Sequence, residues 1–154
     1  MEKVFHFDSS DGAYVADAAV VCCFDHRISL TVQKFLKRQG IRRPDMIVLA
    51  GGAKNLAAPR QDSDRDFIYE QVRISADLHA ATRLLLMTHS DCGAYGGLAR
   101  FKNDRSAELQ FHAQELQRAS ELVRAKFPQL DVQRYFVDFE GVWSIADDSQ
   151  ANVA

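Results

Sequence analysis

Cysteine is scarce in this chain: Cys22, Cys23 and Cys92 are an odd number without framework spacing, which argues against a disulfide scaffold. The chain also lacks any apolar run near the ~20 residues a bilayer span needs, and Met1-Glu2-Lys3 leads into no secretory apolar segment. No membrane partner is expected, and the default location is the cytoplasm. Excess charge of either sign is equally small. A formal net charge of -2 provides no basic field for nucleic acid, and neither GxGxxG nor GxxxxGK[ST] occurs, which argues against nucleotide binding. There is no internal repeat and no low-complexity block.

What is present reads as one globular domain spanning residues 1–154. At 154 residues, with 47% hydrophobic and 26% charged residues, the chain can build a single core but not two good ones. Residues 1–16 carry a turn signal at Ser9-Ser10-Asp11-Gly12 and read as an irregular or partly helical lead-in, suited to be an arm against a partner subunit. Ala18 to Phe24 is a short continuous apolar run, the pattern of a strand covered on both faces. Ile28, Val32, Phe35 and Leu36 then repeat at helical spacing, and Gly40 stops that helix. Asp45 to Ala50 reads as a second buried strand, and it runs into Gly51-Gly52, where close backbone approaches become possible.

The stretch from Ala53 to Arg65 is polar and loop-like. A second helix is predicted from about Asp66 to Ala80, with Phe67, Ile74 and Leu78 on one stripe and Ile68 and Val72 beside it. Arg83 to His89 is the third apolar strand. A long helix follows from about Ser106 to Lys126, burying Leu109, Ala113, Leu116, Ala119, Val123 and Phe127, and Pro128 closes it. Val132 to Phe139 alternates more and carries charge, which suits a fourth strand at an edge. Residues 147–154 are small and polar, a pattern of a disordered tail. Strands separated by helices imply right-handed crossovers and hence an α/β fold: a single domain with a mostly parallel four-stranded sheet, order 2-1-3-4, flanked by helices.

Chemistry concentrates at two strand ends. Thr88-His89-Ser90-Asp91-Cys92-Gly93 places an imidazole and a thiol three residues apart where the third strand ends, and Cys23-Phe24-Asp25-His26-Arg27 follows the first. In the order 2-1-3-4 these strands are neighbours, so both segments lie at the carboxyl edge where open α/β sheets bind ligands. Two thiols and one imidazole make a Cys₂His set. Such a set leaves one of zinc's four positions open, which separates catalytic from structural zinc.

These segments resemble the β-class carbonic anhydrases, in which a Cys-x-Asp-x-Arg segment and a later His-x-x-Cys-Gly segment hold one zinc. Together with Gly51-Gly52-Ala53-Lys54-Asn55-Leu56 and His89 through Tyr95, the chain is similar to the compact branch usually called putative carbonic anhydrases, from about Val20 to Asp138. The resemblance selects Cys23, His89 and Cys92 as the ligands of one Zn²⁺ per subunit, and it implies a β-carbonic anhydrase-like fold in a homodimer or larger homo-oligomer. Adjacent residues of a strand point to opposite faces, so Cys22 is expected to be a small buried apolar residue. The implied activity is that of a carbonate dehydratase, a lyase in which zinc-bound hydroxide reversibly hydrates carbon dioxide to bicarbonate. Two thiolates donate more charge than imidazoles, so activity is expected to favour mildly alkaline pH.

Asp25 and Arg27 are the expected catalytic pair. A guanidinium can grip a carboxylate bidentately, holding Asp25 off the metal where it orients the nucleophile; when that grip fails, Asp25 can become a fourth ligand and close the site. Both states are implied among relatives, and a pH-sensitive switch between them is expected. Asp91 is read as a loop-orienting residue, His26 as an exposed loop histidine rather than a proton shuttle, and His79 and His112 as structural. The common β-class enzymes have Arg-Asn-Ala-Gly-Asn after the second strand, whereas Leu49-Ala50-Gly51-Gly52-Ala53 stands here. This more apolar wall leaves two alternatives open: a hydrolase of carbonyl sulfide or carbon disulfide, and a non-catalytic zinc protein capped by Asp25.

Overall fold

The structure, a computed structural model, describes residues 1–146; the tail expected over 147–154 lies outside the described residues. The elements are β1 (Ala18–Cys22), α1 (His26–Arg38), β2 (Pro44–Val48), α2 (Lys54–Ala57), α3 (Asp62–His79), β3 (Arg83–His89), α4 (Arg105–Lys126), β4 (Asp131–Val137) and β5 (Val142–Ser144), with two short 3₁₀ turns between β3 and α4. They form one sheet in the order β2-β1-β3-β4-β5. β1, β2, β3 and β4 run parallel, and β5 pairs antiparallel with β4.

Side chains alternate across a pleated strand, and here the alternation divides the core into two layers. Ala19, Val21, Leu84 and Leu86 pack with Leu56, Ile68, Val72, Leu116 and Val123 from α2, α3 and α4. Ala18, Val20, Cys22, Leu85 and Met87 pack with Ile28, Val32 and Leu36 of α1. All five residues of β1 are buried, as a central strand covered on both faces requires. α1 starts where the Asp25 side chain accepts the Arg27 amide and ends at Gln39, after which Gly40 takes φ +75°.

Several sequence-based expectations need correction. The sheet has five strands, not four, and β4 is interior because β5 covers its far side; three residues after a glycine are too short a run to announce a strand. β2 is the exposed edge: Met46 and Val48 are large apolar residues left open to solvent, so the apolar run marks no second buried strand. The segment from Ala53 to Arg65 contains α2 and the first turn of α3. In α3 the buried stripe is Ile68, Val72 and Ser75, while Phe67 and Leu78 are 62% and 72% exposed. In α4 the inward face includes Glu108, His112 and Glu115, whereas Leu109 is exposed.

The lead-in contains no helix, and Val4, Phe5 and Phe7 are exposed. Its root is tied down. Tyr14 Oη donates to Asp45 Oδ1 at 2.7 Å, and the Asp17 carboxylate accepts the Arg42 and Arg43 amides at 2.8 Å each. Among the described residues no helix is long and apolar enough to cross a membrane.

Candidate metal centre

β1 and β3 are adjacent and parallel, so their carboxyl ends open onto the same edge. The chain runs one residue past β1 to Cys23, and β3 ends on His89. The next residues double back through Asp91 at φ +53°, and the Cys92 carbonyl then accepts the Tyr95 and Gly97 amides. The result is a buried donor set. One ligand atom from each of Cys23, His89 and Cys92 lies within 4.8 Å of the others. Cys22 stays apart as an apolar core residue, its thiol pushed up to about 11 by burial and then by the neighbouring Cys23.

His89 is oriented by its other nitrogen. Nδ1 donates to the Ser90 carbonyl at 2.8 Å, which leaves Nε2 as the nitrogen available to a metal. Nε2 is fully buried and has no hydrogen-bond partner of regular geometry. A buried nitrogen without a partner costs roughly 1–3 kcal/mol, and an ion shared with two sulfurs would remove that cost. The Cys92 thiol and, against burial, His89 and the Gly51 amide favour the thiolate of Cys23 and lower its pKa. That amide lies 3.4 Å from Cys23 Sγ. The Cys92 pKa is raised by its interaction with Cys23 and by burial. Burial works against a charged His89, but the Cys23 sulfur prevails and the ring pKa is raised. The protons held by this trio are those that a divalent cation displaces when it binds thiolate and neutral imidazole. The donor set therefore fits a metal ion.

Beside it stands a carboxylate held by an arginine. Arg27 Nη2 lies 2.7 Å from Asp25 Oδ2, and Nε lies 3.1 Å from each carboxylate oxygen. The other edge of the guanidinium reaches Asp91, with Nη1 2.9 Å from Oδ2 and Nη2 3.0 Å from the backbone oxygen. Arg27 hydrogen bonds lower the Asp25 pKa to about 2 despite partial burial, so the carboxylate is ionised and acceptor-only at neutral pH. Asp25 Oδ2 is 3.9 Å from His89 Nε2: near the donor set, but held back from it. Asp91 Oδ1 also accepts the Leu98 amide at 2.9 Å, which agrees with its loop-orienting reading.

His26 is exposed at the first turn of α1. His79 Nδ1 pairs with Asp45 Oδ2 at 2.8 Å, outside the centre. His112 is fully buried, with Tyr95 and Phe136 rings at 4.6 and 5.2 Å. The residue that sequence reasoning missed is Glu108. Its carboxylate accepts Ser90 Oγ and the Asp91 amide, and a lone glutamate on a helix gave no signal of that.

Residues 15–146 match the family model described as "Putative carbonic anhydrase". An uncharacterized protein of Rickettsia bellii (strain RML369-C) is 26% identical over 130 residues, 82% of this chain and 79% of that protein. Among solved structures, β-carbonic anhydrase isoform I of Trichomonas vaginalis aligns with a TM-score of 0.58 at 16% identity, covering 92% of this chain and 88% of its own. A carbonic anhydrase of Streptococcus mutans gives 0.58 at 15%, covering 87% and 84%. A carbon disulfide hydrolase gives 0.54 at 12%, covering 92% and 86%. At these identities the structural likeness shows the fold, a single α/β domain with a mostly parallel sheet flanked by helices.

Proposed function

Because the chain belongs to the family described as putative carbonic anhydrases, we propose that it is a zinc-dependent lyase interconverting carbon dioxide and bicarbonate. One observation carries the reading: two thiols and a partnerless imidazole nitrogen converge within 4.8 Å at the carboxyl edge of the sheet, beside a carboxylate that an arginine restrains. Cys23, His89 and Cys92 would hold the ion. When bound, zinc would supply the Lewis acidity that lowers a water's pKa toward neutrality.

The protein's own groups supply orientation. Asp25, ionised and unable to donate, takes a hydrogen bond from the attacking water and so turns its lone pair toward the carbon. Arg27 fixes the direction of that acceptor by donating three side-chain hydrogen bonds to it, and Asp91 fixes Arg27 in turn. The stretch from Leu49 to Ala53 contributes no polar side chain to the adjacent loop, which suits a small linear apolar substrate. That same wall favours a second reading, hydrolysis of carbonyl sulfide or carbon disulfide, and the fold is shared with a carbon disulfide hydrolase. The grip of Arg27 on Asp25 argues against the capped, non-catalytic alternative.

Assembly into a homodimer or larger oligomer is part of the proposal. The free edge of β2 borders a cavity of about 420 Å³ lined by Phe24, Val32, Leu36, Met46 and Val48, and an apolar groove at an unpaired strand edge is suited to a second copy. The activity is tested by assaying the zinc-loaded protein with carbon dioxide, carbonyl sulfide and carbon disulfide in parallel. Turnover of carbon dioxide above both sulfur analogues is expected; turnover of a sulfur analogue alone, or of none, overturns the reading.

A further inference from the structure

Helix α4 turns a glutamate, a histidine and a second glutamate inward at positions 108, 112 and 115, where the sequence pattern called for leucine and alanine. Glu108 is only 1% exposed, and removing a carboxylate from water costs several kcal/mol unless its oxygens are fully used. Both are used. Oε2 accepts the Ser90 hydroxyl at 2.6 Å and Oε1 accepts the Asp91 amide at 2.7 Å.

Those two donors belong to the residues that orient everything else at the centre. The Ser90 carbonyl receives His89 Nδ1–H and so sets the tilt of the ring. The Asp91 carboxylate and carbonyl receive Arg27, which holds Asp25. One buried carboxylate, anchored in a 22-residue helix, thus clamps the peptide from which both branches depart. We propose that Glu108 is the positioning residue of this centre, fixing the metal-facing direction of His89 and the place of the Arg27–Asp25 pair through a single turn of backbone. The inference rests on the metal reading above, and it concerns a residue that touches neither the donor atoms nor Asp25.

The test uses the full chain with Glu108→Ala, Glu108→Gln and Ser90→Ala. Zinc affinity is measured by competition with a chromophoric chelator, and the visible absorption spectrum of the cobalt-substituted protein reports ligand geometry. Loss of a group that orients a metal ligand typically weakens metal binding about 10–100-fold. Glu108→Ala should fall in that range with an altered cobalt spectrum. Glu108→Gln keeps one acceptor for the Asp91 amide and should recover most of the affinity. Ser90→Ala, which keeps the His89 acceptor and removes one of the two clamp bonds, should show a smaller shift of the same kind. If Glu108→Ala does not fold, the other two variants decide: both matching wild type in affinity and spectrum overturns the proposal, as does a folded Glu108→Ala that matches. A wild-type protein that binds neither zinc nor cobalt would instead sink the metal reading itself, so the two failures are distinguishable.

Discussion

A Cβ placed on Gly52 would lie 2.2 Å from the carbonyl oxygen of Met87, the same oxygen that accepts the Ala53 amide. The loop after β2 is therefore pressed against β3 as closely as backbone allows, two residues before the His89 end of that strand. Gly52 also has φ +57°, so Gly52→Ala meets both a backbone clash and left-handed strain. It should lower unfolding free energy by about 2 kcal/mol or more in a denaturant titration. A wild-type midpoint in that variant would contradict the packing described.

Under the proposed function Arg27 orients Asp25 and binds no metal, so its removal should separate binding from turnover. Arg27→Ala should retain zinc by metal analysis while carbon dioxide hydration falls roughly 10–100-fold. Arg27→Lys should not rescue it, because a point-charge ammonium cannot reproduce the fork that spans Asp25 and Asp91. Full activity in either variant would remove the role. The depressed Asp25 pKa also constrains the expected pH switch. The ion pair is fully formed above the ordinary carboxylate range near 4 and is lost only as pH falls toward about 2, so a switch near neutrality would require Arg27 to leave while Asp25 stays charged.

Adjacent thiols should behave oppositely. Cys22→Ala, a change in the α1-side core, should cost about 1 kcal/mol of stability and leave metal content intact. Cys23→Ala should abolish stoichiometric zinc. Equal metal loss in both variants would show that the wrong thiol has been assigned.

His112 predicts the acid limb of stability. Burial first, then the charges of His89 and Arg100, lower its pKa from 6.5 to about 4. The unfolded chain therefore takes a proton that the folded chain refuses between those values. Stability contributed by the neutral ring is fully present above pH 6.5 and is lost as pH falls toward 4, by about 3 kcal/mol across that interval. In metal-free protein, His112→Phe should flatten the pH dependence of the denaturant midpoint there. An unchanged slope would mean another group dominates.

The clustering of Cys23, His89 and Cys92 was legible because a metal would need particular atoms at particular strand ends, and these are among few residues able to provide them. The parallel order of the first four strands followed from alternating apolar runs and helices. What could not be read depends on tertiary partners. β5 is three residues long and forms only because β4 offers an open edge. Phe67 and Leu78 share a helical spacing with the residues beside them, and which stripe turns inward is decided by the sheet. Glu108 reads as solvent-facing under any binary pattern, since only the folded loop supplies Ser90 Oγ and the Asp91 amide.

The most direct test is a carbon dioxide hydration assay with metal analysis on the native protein and on Cys92→Ala, side by side. One zinc per chain with turnover in the native protein, and loss of both in a folded Cys92→Ala, is the result predicted. A native protein without zinc, or a Cys92→Ala variant that keeps metal and turnover, would contradict it.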